Sequence, residues 1–223
     1  MNVNNFKLSF IVILAFFNAE ICISQEKITE IYYYDDNWKK VTKENATYSR
    51  VITFNEDNYS KPIGRVKDYY EKSGNLQWSG FFSYYDLNNE SNNKIHGTAY
   101  WYYESGSKSR QSKYVYGKET GLSKYWYENG SIKSTVNYQN GKAEGEYLEY
   151  NENGSIIASI DYKNGKVNGD YSLFYTDGFR KGKLKYLRKY QDGKPVSKWG
   201  FSFDEYGKCN IVFEDNFNKK NND

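Results

Sequence analysis

The chain has 223 residues, with 31 Lys and Arg against 28 Asp and Glu; the resulting net charge of +3 is too balanced to select nucleic acid or an anionic membrane as partner. Aromatic residues make up 19% of it, with 25 Tyr and 18 Gly against only 2 Pro, and the mean hydropathy is -0.92. Such a chain is too polar for one large round core, and points to a thin, sheet-rich structure whose limited core is aromatic.

Residues 1–24 read as a secretory signal peptide. Lys7 supplies a weakly positive start, Leu8 to Phe17 an apolar run, and Cys22-Ile23-Ser24 places small residues at -3 and -1 ahead of Gln25. The run is shorter than the ~20 apolar residues of a bilayer span. The mature chain is therefore expected to carry no transmembrane segment and to be exported, whether periplasmic, at the cell surface or secreted. Glu20 and Ile21 ahead of Cys22 argue against lipid attachment. Cleavage near Ser24 leaves Cys209 as the remaining thiol, without a partner for an internal disulfide.

Residues 25–62 do not share the period that follows. "KITEIYYYDDNWKKV" and "YSRVITFNED" read as two strands, an N-terminal β cap over the edge of what comes next. From 63 to 213 the chain repeats itself in about six units. Gly97, Gly121, Gly145 and Gly169 form one series, Gly106, Gly130 and Gly154 a second, and Gly117, Gly141 and Gly165 a third, every step being 24 residues. Residues 214–223 are a polar tail, expected to be flexible.

Within a unit, positions +2, +4, +6 and +8 from the loop glycine alternate with polar residues, as in Ile132, Ser134, Val136, Tyr138 and Ile156, Ala158, Ile160, Tyr162. That is the period of a strand with one wet face. Asn-Gly or Asp-Gly at 129–130, 140–141, 153–154, 164–165, 177–178 and 192–193 marks tight reversals. A single hairpin is marginal in water, so each copy completes its neighbour's sheet. Position -4 is aromatic in Tyr70, Tyr102, Trp126, Tyr150 and Phe203, with Phe174 in the corresponding place. A three-residue loop pairs -4 with +2, which is expected to put those rings on the apolar face. It would leave Trp101, Tyr103, Tyr125, Tyr127 and Tyr175 as an exposed stripe on the polar face, the candidate binding surface. Cys209, at +2, is expected to be buried and inert.

"YWYENGSIKSTVNYQNGKAEG" and its copies resemble the MORN-repeat variant of YwqK-type proteins, over about residues 63–213. The resemblance implies an all-β, elongated antiparallel meander of repeated hairpins, a single-sheet solenoid used for binding or scaffolding. Some such proteins are antitoxin components of toxin–antitoxin pairs, which makes an antitoxin or immunity role a further reading.

The residues hold no constellation for catalysis. His96 is the only histidine and occupies a slot filled elsewhere by Thr120, Glu144 and Asn168, so it reads as a solvated turn residue. One histidine and one mature cysteine provide no metal cluster, and no cofactor is implied. Glu104, Glu128, Glu152 and Glu205 recur at -2 as turn residues rather than as an acid–base pair. The expectation is a non-enzymatic module whose rings bind another protein, or alternatively a glycan or cell-wall polymer, and not nucleic acid.

Overall fold

The computed structural model describes residues 27–55, 64–86, 92–197 and 199–213. The signal-peptide reading of residues 1–24 and the tail at 214–223 lie outside them. The described residues form sixteen strands and one 3-10 turn, Lys43–Asn45. In chain order the strands are β1 (Lys27–Tyr34), β2 (Tyr48–Asn55), β3 (Gly64–Tyr70), β4 (Leu76–Tyr84), β5 (Lys94–Tyr102), β6 (Lys108–Val115), β7 (Lys118–Trp126) and β8 (Ile132–Gln139). They continue as β9 (Lys142–Ala143), β10 (Gly145–Tyr150), β11 (Ile156–Lys163), β12 (Lys166–Phe174), β13 (Leu184–Gln191), β14 (Lys194–Pro195), β15 (Trp199–Phe203) and β16 (Cys209–Phe213).

All belong to one open sheet in which each strand is antiparallel to the next, the short β9 and β14 adding to β8 and β13. The all-β meander of repeated hairpins expected from the period is the observed fold. Residues assigned to the cap contribute β1 and β2, which continue the sheet from β3. There Arg50 grips the buried Asp68 through two bonds of 2.8 and 2.9 Å, with Tyr34 and Trp38 beneath its guanidinium.

Two kinds of connection alternate along the sheet. At one edge, Asn140 and Gly141 hold φ of 52 and 81° between the paired Gln139 and Lys142, a two-residue turn whose twist matches that of the strands. At the other edge, Tyr127 N donates to Ser131 O and Gly130 N to Tyr127 O, both at 2.9 Å, closing a three-residue loop. That loop pairs Trp126 with Ile132, and its copies pair Tyr102 with Lys108, Tyr150 with Ile156 and Phe203 with Cys209. The pairing of -4 with +2 is thus as expected in these units. The first unit differs by one residue, Tyr69 facing Leu76.

The faces are not as expected. Immediately after the pair Trp126–Ile132 the register slips by one residue, so that Tyr125 faces Ser134. The extra residue of this bulge reverses the alternation. Positions +4 and +6 are buried, as in Ser134, Val136, Ala158 and Ile160, while Ile132 and Ile156 at +2 are exposed. The -4 aromatics of the bulged units therefore lie on the outer face, where Lys108 Nζ sits 5.1 Å from the Tyr100 ring and 5.5 Å from the Trp126 ring, whereas Tyr70, in the offset first unit, pairs with Tyr48 opposite the buried Tyr34. Cys209 pairs with Phe203 on strand β16 at the sheet's edge and is exposed, not buried.

Among the described residues no second layer lies over the inner face, which is covered by its own side chains. The Trp78 indole fills the space over Gly80, where an added Cβ would meet the ring at 2.7 Å, and Ala99 joins the same cluster. Ile52, Val66, Phe82 and Tyr85 complete this cluster. Tyr186 covers Gly200 in the same manner near the C-terminal end. Small residues thus become core by lying under their neighbours' rings. Gly80→Ala is expected to lift the indole and cost about 1–3 kcal/mol; a thermal midpoint equal to that of the parent would contradict this account.

A tyrosine-lined sheet face as the candidate functional site

Cross-strand pairs share a face, and the register carries one such row through Trp78, Trp101, Arg110, Tyr125, Ser134, Glu149 and Ala158. Two members of the expected outer stripe, Trp101 and Tyr125, are therefore on the inner face. Trp101 packs edge-on against Trp78 with 6.1 Å between ring centroids. The bulge after the three-residue loop is the reason: it turns position -5 inward together with +4.

Tyr103, Tyr127 and Tyr175 do something else. Their hydroxyls donate to the main-chain carbonyls of Trp126, Tyr150 and Phe203, each in the next hairpin, at 2.7 Å in the first two cases. Tyr70 does the same toward Tyr102 O at 3.0 Å. These rings are struts between repeats. Where the copy has Asn151, the side chain instead accepts from Asn153 N and Ser155 N within its own loop. The structure thus divides the five residues into an inner-face pair and three struts, rather than bringing them together as one stripe.

The rings that do form a continuous surface are others. Gly97, Gly121, Gly145 and Gly169 stand directly opposite Tyr114, Tyr138, Tyr162 and Tyr190. Each ring thus faces a position with no side chain. Around Gly121 the chain runs at φ 70°, within a stretch where Thr120 to Lys124 faces only Gln111 to Lys113. Tyr147 and Tyr171 fill in between, 6.3 and 6.0 Å from Tyr162 and Tyr190. All six rings are half-buried. The spacing of Tyr138, Tyr162 and Tyr190 at +8 was a legible signal for part of this row, and Tyr147 and Tyr171 recur one period apart, two places after Gly145 and Gly169.

At the β6 end of this row sits Arg110. Its guanidinium lies 4.6 Å from the Trp101 ring and 5.1 Å from the Tyr125 ring. It bonds Glu119 Oε1 at 2.8 Å and Ser112 Oγ at 2.9 Å, and the Ser123 hydroxyl also donates to Glu119. Held on all sides, this pair orients the flanking rings. Among the described residues no group of His, Cys, Asp and Glu could hold a metal ion. His96 is exposed, with its ring 5.1 Å from that of Tyr116. Glu104, Glu128, Glu152 and Glu205 are exposed in the loops.

Burial pushes the phenols of Tyr114, Tyr125, Tyr147, Tyr162 and Tyr171 above their ordinary value. Phenols of the unfolded chain ionise near 10. The folded state keeps these protons longer, so the stabilisation is complete below pH ~10 and is lost as pH rises through the higher folded values. Phenolate absorbance should show a late-ionising group of tyrosines that reverts to ordinary behaviour in denaturant; a single ordinary transition in the native protein would contradict this.

The model of the MORN repeat variant matches residues 95–116, 119–140 and 143–164. No curated protein matches the chain. Among solved structures, the crystal structure of the GtfA/B complex bound to UDP and GlcNAc is similar at 11% identity. The match covers 53% of this chain and 22% of that one, with a TM-score of 0.23, too loose a likeness to carry an argument. The matched stretches coincide with strands β5 to β11 at the centre of the sheet, each ending at or beside a two-residue turn. The chain carries three tandem MORN repeat variants.

Proposed function

We propose that the chain is an exported, non-enzymatic module that binds another protein on the tyrosine-lined face of its sheet. The observation that carries this reading is the row Tyr114, Tyr138, Tyr162 and Tyr190, each opposite a glycine on a face that no second layer of the described residues covers. An aromatic ring beside an empty position offers a flat apolar wall, a shallow recess and a hydroxyl at the rim, the combination favoured at protein interfaces. MORN repeats are generally associated with protein or membrane binding, which suits a repeat module of this kind. The single histidine in the sequence supports the non-enzymatic part. An antitoxin or immunity role of the YwqK type would be one case of binding a protein, and the gene next to this one would indicate it.

A photo-crosslinking residue placed at Tyr162, on the inner face, is expected to give a discrete adduct with a purified partner. The same residue at Lys163 is expected to give none. Equal labelling from both positions would remove the inner face as the contact surface.

A further inference from the structure

The net charge of +3 conceals a segregation that the register reveals. The residue after each two-residue turn is a lysine: Lys118, Lys142, Lys166 and Lys194, with Lys94 in the corresponding place at the start of β5. All are exposed along the turn edge of the sheet, and among the described residues none makes an ion pair. Their stems are ordered against the next turn. A Cβ on Gly117, Gly165 or Gly193 would lie 3.1, 3.6 or 3.8 Å from the side chain of Lys94, Lys142 or Lys166. Two of the carboxylates beside them are engaged elsewhere, Glu119 with Arg110 and Glu144 with Asn164 N, while Asp192 lies in the last turn, beyond the first three lysines. Glu104, Glu128 and Glu152 belong to the loops of the opposite edge. Successive lysines are two strands apart, about 10 Å.

A second observation falls at the same edge. Where the sister turns have Asn140, Asn164 and Asp192, the first turn has Tyr116, held at φ 47°. That conformation disfavours a bulky side chain. The ring is 70% exposed and rests against His96, so it contributes nothing to the core. A strained, exposed ring that replaces a better turn former points to a ligand rather than to stability.

We propose that the turn edge binds a linear acidic polysaccharide, one sugar ring stacked on Tyr116 and its anionic groups spaced along Lys94, Lys118, Lys142 and Lys166. The competing anions fit less well. A nucleic-acid strand carries a phosphate every ~3.4 Å, about three times too densely for this row. An extended peptide gains affinity by main-chain pairing with an open strand, whereas here the turn amides are taken: Gly117, Gly141, Gly165 and Gly193 N each donate to the hairpin before at 2.8 Å. A planar membrane meets only part of the row, because adjacent strands rotate by roughly 20–25°. A flexible chain with sparse charges can follow it.

This site is apart from the tyrosine-lined face, and the experiment separates the two. Isothermal titration of the full chain would use hyaluronan oligosaccharides, which carry a carboxylate on alternate rings. Uncharged chitin oligosaccharides and phosphatidylserine vesicles would serve as the other arms. Binding to the acidic oligosaccharide that weakens with added salt is expected. The triple variant Lys118→Glu, Lys142→Glu, Lys166→Glu should weaken it at least about tenfold. Tyr116→Asn should weaken it while raising the thermal midpoint, since asparagine suits the turn, and Tyr138→Ser on the inner face should leave it unchanged. Absence of binding at low salt, affinity retained by the triple variant or by Tyr116→Asn, or tighter binding of the vesicles would overturn the proposal.

Discussion

Every hairpin of this sheet is held by hydrogen bonds that leave it. At the turn edge a glycine N–H reaches back to a carbonyl of the preceding hairpin, and at the loop edge a tyrosine hydroxyl reaches forward to a carbonyl of the following one. A two-stranded unit cannot offset its own ordering entropy in water. These edge bonds, added to the strand ladders, are what make the copies one object. The strut bond tolerates inserts between donor and acceptor, spanning 23 residues from Tyr103 and Tyr127 but 32 from Tyr70 and 28 from Tyr175.

A sheet without a second layer must also produce its core from one face. It does so by alternating size across rows: Trp78 over Gly80, Tyr186 over Gly200, and Arg110 with its flanking rings beside the fully buried Ser112 and Ser123. The low hydropathy of the chain is consistent with this arrangement, since serine and glycine suffice beneath a ring where a packed globule would need leucine. Trp78 and Tyr186 are themselves buried, while Trp101, Tyr125 and the tyrosines at +8 on the same face remain half-buried. The surface available to a partner is therefore the same surface that holds the sheet together.

The strands, the connections and even the length of the loops were legible in the sequence because each is set by local chemistry: an Asn-Gly that tolerates positive φ, a glycine three residues past a tyrosine, an apolar residue every second position. The faces were not. Ile132 and Val136 stand four apart and read as one face, yet one is exposed and the other buried, because a single extra residue at Lys133 lies between the loop and the first buried pair. Nothing in an alternating pattern distinguishes a bulge from a regular strand. The consequence spread to the residues counted from the bulged loops, sending Trp101 and Tyr125 inward and Trp126 outward, whereas Cys209 lies in a hairpin of unbroken register at the sheet's end.

The sequence by itself determined the period, the hairpins and the all-β sheet, since repetition with turn chemistry at fixed steps admits few other folds. It also determined that charge in the aggregate is near neutral. Only the tertiary structure decided which side of each strand is covered and that the lysines following the turns line up along one edge of the sheet. Both depend on register, and register is set by pairing between strands far apart in the chain, where one added residue reverses a face and net composition carries no trace of it.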